Sequence, residues 1–194
     1  MNTALLVVDV QRDFCNGGAL PAFDTASLLG PLASFITRNR ELGIRVIFTQ
    51  DWHPKDHSSF KEYGGPWPAH CVAESPGAEL MSELSFRPDD WIIRKGTSCT
   101  QNGYSAFDDT GLAMKLRAFG FGMIGVCGIA TEYCVRATVI DALQAHFRTV
   151  LIADLIRPVA SEASQGVVEK LRAANVSISN SIAWLELRAI TGGN

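Results

Sequence analysis

The sequence predicts an α/β protein of three layers, with a mainly parallel central sheet of about six strands and helices on both faces. Three observations carry this expectation. Six short apolar runs rich in β-branched residues recur along the chain, at residues 5–8, 45–49, 91–93, 123–127, 150–152 and 176–178. Several of the segments between them place apolar residues three or four apart, the spacing of a helix with one buried face. The chain has 194 residues with 47% hydrophobic content, which suits one packed unit spanning 1–194.

In chain order, Leu5-Leu6-Val7-Val8 is apolar on both faces, as a strand covered from two sides must be, and it ends at Asp9. Leu28, Leu32, Phe35 and Ile36 repeat with helical spacing. Arg45 to Thr49 reads as the second strand, and Asp51 follows it. From about 52 to 90 the pattern breaks: Pro54, Pro66, Pro68, Pro76 and Pro88, with Gly64 and Gly65, disrupt any long element. That stretch also holds Trp52, Phe60, Trp67 and Phe86, so it is expected to be a structured excursion from the sheet rather than a linker. Trp91 to Ile93 resumes the strand pattern and is followed by Lys95. Met123 to Cys127 gives the fourth strand, after which residues 128–134 turn into a helix marked by Val135, Thr138, Val139, Ala142 and His146. Val150 to Ile152 and Val176 to Ile178 complete the sheet. There is no internal repeat and no low-complexity segment.

Composition excludes several classes. Seventeen Lys and Arg stand against 20 Asp and Glu, a net charge of -3, so no cation excess exists to neutralise a phosphate backbone. No run approaches the roughly 18 apolar residues of a membrane span. The first apolar run lacks a basic leader and is broken by Asp9, so a cytoplasmic location is expected. Five cysteines, odd in number and without C-x-x-C spacing, argue against a disulfide framework and a zinc knuckle.

In an open parallel sheet, ligands bind beyond the carboxyl ends of the strands. Asp9, Asp51 and Lys95 each follow a strand, and Cys134 lies near the start of the helix after the fourth, so all four are expected at one edge. Taken singly, Asp9 reads as a turn cap, Lys95 as a solvated charge and Cys134 as a packed helix residue. Together they make a covalent amidase site. The helix dipole and Lys95 would favour the Cys134 thiolate, and Asp9 would take the thiol proton and later deliver it to a leaving group. Backbone N–H groups of Ala130 and Cys134 would form the oxyanion hole.

Three of the four histidines (His53, His57 and His70) fall in one short window beside Asp51. An extended Asp51-Trp52-His53 puts the carboxylate and the imidazole on one side. One carboxylate with two or three imidazoles suits one borderline divalent cation, Zn2+ foremost, with Mn2+ or Fe2+ as alternatives, and leaves coordination positions open. His146 follows the apolar spacing of its helix and is expected to be structural.

These residues resemble the nicotinamidase/pyrazinamidase members of the isochorismatase-like cysteine hydrolases. The resemblance runs through LLVVDVQRDFCNGGAL (5–20), TQDWHPKDHSSF (49–60), GPWPAHCV (65–72), KGTSCTQNGYSAF (95–107) and VCGIATEYCVRAT (126–138). It implies an isochorismatase-like fold, a triad of Asp9, Lys95 and Cys134, and a metal held by Asp51, His53 and His70, with His57 a further candidate ligand. It implies that Phe14, Trp67 and Tyr104 line the pocket, and that a cis peptide precedes Ala130. The implied reaction is hydrolysis of nicotinamide to nicotinate and ammonia, and of pyrazinamide to pyrazinoate, through a thioester. The implied partner is that small amide, with neither nucleic acid nor membrane; a homo-oligomer is compatible with the pattern. The competing expectations are a same-fold amidohydrolase for an N-carbamoyl compound or maleamate, and a non-catalytic metal-binding protein. Two stretches depart from the family pattern: Thr100-Gln101-Asn102-Gly103, where many relatives carry acidic residues, and Leu155-Ile156 after Asp154.

Overall fold

The computed structural model describes residues 2–191. All six expected strands form: β1 (Asn2–Val8), β2 (Arg45–Asp51), β3 (Trp91–Lys95), β4 (Phe121–Ile129), β5 (Arg148–Arg157) and β6 (Ser177–Ser179). They build one sheet in the order β3-β2-β1-β4-β5-β6, and every pairing is parallel. Five helices accompany them: α1 (Ala26–Glu41), α2 (Leu112–Ala118), α3 (Arg136–Gln144), α4 (Ala163–Ala173) and α5 (Ser181–Thr191).

The period of two in β1 divides the core. Leu5 and Val7 face α1 and α5, in a layer with Leu28, Leu32, Phe35, Ile36 and Trp184, whereas Ala4, Leu6 and Val8 face α2, α3 and α4, with Leu112, Leu116, Val139 and Leu171. This double covering explains why β1 carries no polar residue between Ala4 and Val8. At Gly125 of β4 a side chain is excluded, because a Cβ there would come within 2.8 Å of the Trp184 ring.

His146 departs from the expected helical face. Helix α3 ends at Gln144, and His146 is an exposed residue in the left-handed region, φ 61°. Its N–H donates to the Leu143 carbonyl and the Phe147 N–H to the Ala142 carbonyl, the paired bonds of a Schellman cap. Past the helix end it is Phe147, not His146, that packs into the core.

Chain direction sets the site. From β1 the sheet grows one way through β2 and β3 and the other way through β4, β5 and β6, so the order reverses between β1 and β4. Beyond the carboxyl ends of those two strands the outgoing loops part and leave a crevice. The 52–90 excursion, with short 3-10 turns at Lys61–Tyr63, Pro76–Ala78 and Ser82–Leu84, folds over this edge. Gln11 ties it down: its Nε2 donates to the carbonyls of Asp51 and Ala78, while its Oε1 accepts the Asp51 N–H. Among the described residues no helix is long and apolar enough to cross a membrane.

One buried polar link joins α1 to α5. Trp184 Nε1 donates to Asn39 Oδ1 at 2.7 Å, and Asn39 Nδ2 donates to the Phe35 carbonyl at 2.8 Å. Asn39→Leu strands the indole N–H in an apolar layer, and denaturant titration should show a loss of about 1–3 kcal/mol.

Candidate active site

The four strand-end residues meet. Lys95, at the last position of β3, is buried, and its Nζ lies 2.8 Å from Asp9 Oδ2, 2.5 Å from Asp51 Oδ1 and 3.3 Å from Cys134 Sγ. It also donates to the Gly103 carbonyl at 3.2 Å. Gly103 has to be glycine: its φ is 59°, and a Cβ would come within 2.5 Å of the Gly96 backbone. The departing stretch Thr100 to Gly103 thus contributes backbone carbonyls here rather than side chains.

Asp9 takes the left-handed conformation, φ 48°, immediately after β1. Its Oδ1 accepts the Thr49 hydroxyl at 2.5 Å, and its N–H donates to the same Thr49 Oγ1 at 3.1 Å. Its Oδ2 lies 2.8 Å from the Lys95 ammonium and has no aligned hydrogen-bond partner, so this is the oxygen free to receive a proton. Burial pushes the Asp9 carboxyl above the ordinary carboxylate range, against the pull of Lys95. Burial also opposes the Asp51 carboxylate, but there the Lys95 ammonium prevails and its pKa falls well below the ordinary range. For Lys95, burial is outweighed by Asp51 and Asp9, and its pKa rises well above that of a free lysine.

Cys134 lies in a single π-helical turn, Thr131–Val135, which runs into α3. The turn starts at Ala130, whose carbonyl accepts the N–H groups of both Tyr133 and Val135, and the peptide bond from Ile129 to Ala130 is cis. Burial works against the thiolate at this position. Burial pushes the Cys134 thiol well above its ordinary pKa, and the neighbouring Asp9 and Asp51 add to the rise despite Lys95.

Beside the triad, Asp51, His53 and His70 bring one donor atom each within 4.8 Å of one another. The imidazole orientations are fixed by backbone. His53 Nδ1–H donates to the Gly96 carbonyl at 2.9 Å, and His70 Nδ1–H donates to the Pro68 carbonyl at 2.8 Å. Carbonyls only accept, so each ring keeps its Nε2 lone pair for a ligand, the arrangement found in metal-binding histidines. Burial lowers the His70 pKa, which favours the neutral ring. Gly96 permits the approach: a Cβ there would lie 2.5 Å from the His53 ring. The donor set therefore fits a divalent cation.

His57 does not join this trio. Its Nε2–H donates to the Gln101 carbonyl at 2.9 Å, and its Nδ1 accepts the Ser59 hydroxyl at 2.7 Å and the Ser59 N–H at 3.2 Å. Both nitrogens are spent, and the ring instead stacks on His53 with centroids 4.0 Å apart.

Above Cys134 and His70 lies a narrow apolar cleft. Phe14, Trp67 and Tyr104 line it as expected, and Leu20, Tyr133 and Val159 complete its walls. Trp67 Nε1 donates to the Tyr104 hydroxyl at 3.3 Å, and the Trp67 ring meets Tyr133 edge-on at 5.0 Å. The walls suit a flat aromatic ring.

Sequence reasoning missed Thr49, which holds Asp9, and Gln11, which holds Asp51. A polar residue inside an otherwise apolar strand was the available signal for Thr49. Leu20, Tyr133 and Val159 gave no signal, because apolar wall residues resemble core.

Comparison with known proteins agrees with this geometry. The isochorismatase domain model matches residues 3–182. The nicotinamidase/pyrazinamidase of Mycobacterium tuberculosis is 33% identical over 181 residues, covering 90% of this chain and 97% of that protein. The crystal structure of Pyrococcus horikoshii pyrazinamidase in complex with zinc superposes with a TM-score of 0.89 at 40% identity, covering 93% of this chain and 99% of that one. A Leishmania protein, PnC1 from L. infantum, solved in complex with nicotinate, superposes with a TM-score of 0.88 at 36% identity, covering 94% of each chain. The buried Asp-Lys-Cys cluster at the β1/β4 crevice, the His-Asp trio beside it and these similarities agree: the chain belongs to the isochorismatase family, in its nicotinamidase/pyrazinamidase branch.

Proposed function

We propose that this chain is a metal-containing cysteine amidohydrolase that converts nicotinamide to nicotinate and ammonia, and pyrazinamide to pyrazinoate and ammonia. The observation that carries the reading is the junction at Lys95 Nζ, 2.8 Å from Asp9 and 3.3 Å from Cys134 Sγ, at the base of an aromatic cleft whose floor also carries His70. The zinc of the Pyrococcus relative and the nicotinate of the Leishmania relative support it.

Asp51, His53 and His70 would hold one divalent cation, Zn2+ foremost, with Mn2+ or Fe2+ as alternatives. Bound there, it would supply an electropositive anchor for the substrate's ring nitrogen and would draw electron density from the ring. The aromatic walls hold the ring flat and aim the carboxamide at Cys134. Asp9 Oδ2 takes the Cys134 proton, and the sulfur adds to the carboxamide carbon. A raised pKa makes Asp9 a stronger base than an ordinary carboxylate. Negative charge on the amide oxygen falls to the N–H groups of Ala130 and Cys134. Asp9 then passes its proton to the departing nitrogen, the C–N bond breaks, and a nicotinoyl thioester remains. A water molecule deprotonated by Asp9 attacks the thioester, releasing nicotinate and returning the proton to sulfur. Throughout, the Lys95 ammonium balances the charge on Asp9.

Ammonia release from nicotinamide, before and after chelation and with Zn2+, Mn2+ or Fe2+ restored, tests the reading. Release should fall on chelation and return with metal, and Cys134→Ala should lower it by at least about a thousandfold with bound metal unchanged. No release under any condition discards the reading. Asp9→Asn should show no burst of ammonia in a single turnover, because acylation is blocked; a burst of one equivalent would remove Asp9 from that step. Elemental analysis separates the histidines: His53→Ala should lose the stoichiometric metal, whereas His57→Ala should retain it.

A further inference from the structure

The aromatic walls of the cleft come from well-anchored segments, but Val159 comes from the connection between β5 and α4. One side chain pins that connection to the nucleophile. Glu132, two residues before Cys134, directs its carboxylate at the backbone there: Oε1 accepts the Val159 N–H at 3.0 Å and the Ala160 N–H at 3.2 Å, and Oε2 accepts the Val159 N–H at 3.1 Å. A carboxylate is acceptor-only, so it can serve both N–H groups at once, and such charge-assisted bonds are stronger than neutral ones. Thr131 adds a weaker tie, with its hydroxyl 3.4 Å from that of Ser164 in α4.

The same connection is held from the other side. The Pro158 carbonyl accepts the Phe23 N–H at 2.7 Å, and Arg157 donates to the Asp24 carbonyl at 3.1 Å and to the Ser27 hydroxyl at 2.8 Å. Residues 157–160 therefore bridge the nucleophile turn and the segment that follows Leu20, the other aliphatic wall residue of the cleft. Moving Val159 relative to Cys134 requires breaking the Glu132 clip.

We infer that Val159 determines which substituents on the substrate ring are admitted, and that Glu132 is a positioning residue that sets the distance of this wall from Cys134. The inference rests on the amidohydrolase reading above. One methylene against an apolar wall changes kcat/KM by about 10- to 200-fold, so a valine side chain is large enough to discriminate between ring-methylated amides.

The test measures kcat and KM for ammonia release from nicotinamide and from its four ring-methylated derivatives, with the wild type, Val159→Ala, Val159→Leu, Glu132→Ala and Glu132→Gln. The quantity read is kcat/KM for each derivative divided by that for nicotinamide. Val159→Ala should raise this ratio by about tenfold or more for at least one derivative, and Val159→Leu should lower it. Glu132→Ala should shift the ratio in the direction of Val159→Ala, with Glu132→Gln between it and the wild type, since the amide keeps one acceptor oxygen. A purely structural role for Glu132 would depress all five amides equally and leave the ratios fixed, which overturns its positioning role. Ratios unmoved in both Val159 variants overturn the inference while nicotinamide hydrolysis stands. A wild type inert towards all five amides overturns the functional reading itself, and the inference with it.

Discussion

A single ammonium group, that of Lys95, is removed from water and placed between two buried carboxylates, with a thiol and a backbone carbonyl completing its surroundings. Taking any of these charges out of water is costly, and an unmatched one would cost about 3–5 kcal/mol. The arrangement holds because β1, β2 and β3 each deliver one charged group to the same point, and because the strands that carry them are neighbours in parallel register. Asp51 pairs directly with Lys95 in that register, so the shortest ion pair of the site is a consequence of sheet pairing. One positive charge against two carboxylates leaves room for a further cation beside Asp51, where His53 and His70 point their free nitrogens.

Much of the remaining order serves to orient these groups and uses backbone atoms. Carbonyls of Gly96 and Pro68 set the tautomers of His53 and His70, the Gly103 carbonyl accepts a hydrogen bond from Lys95, and the Gln101 carbonyl accepts one from His57. This is why glycine occurs at 96 and 103, where a side chain would strike His53 or the opposing backbone. It is also why the Thr100 to Gly103 loop completes the site through carbonyls rather than side chains. Burial raises both carboxyls, and the balance against Lys95 separates them: the ammonium prevails at Asp51, whose pKa falls, and burial prevails at Asp9, whose pKa rises.

The parts legible in the sequence follow from periodicity. Apolar runs located all six strands, and a strand's last residue in an open parallel sheet points to the ligand edge, which singled out Asp9, Asp51, Lys95 and Cys134. The histidine window marked the donors because imidazoles are scarce in this chain. His146 fits the helical spacing only by its position in the sequence: the Schellman cap ends the helix before it and leaves it exposed. Burial, a quantity that spacing does not contain, works against the thiolate expected at Cys134 while Lys95 favours it.

By itself, then, the sequence determined the layered fold, the edge of the sheet that bears the chemistry and the residue types gathered there, because alternation and strand order are local properties carried by each segment. Only the tertiary structure decided that Lys95 joins both carboxylates, that Thr49 and Gln11 hold them, that His57 supports His53 from Ser59 and Gln101, and that Glu132 fastens Val159 beside the nucleophile. Each of those contacts joins a pair by the direction of a lone pair or an N–H bond. Such directions are fixed only when distant segments pack together, as with Asp9 and Thr49, which lie 40 residues apart.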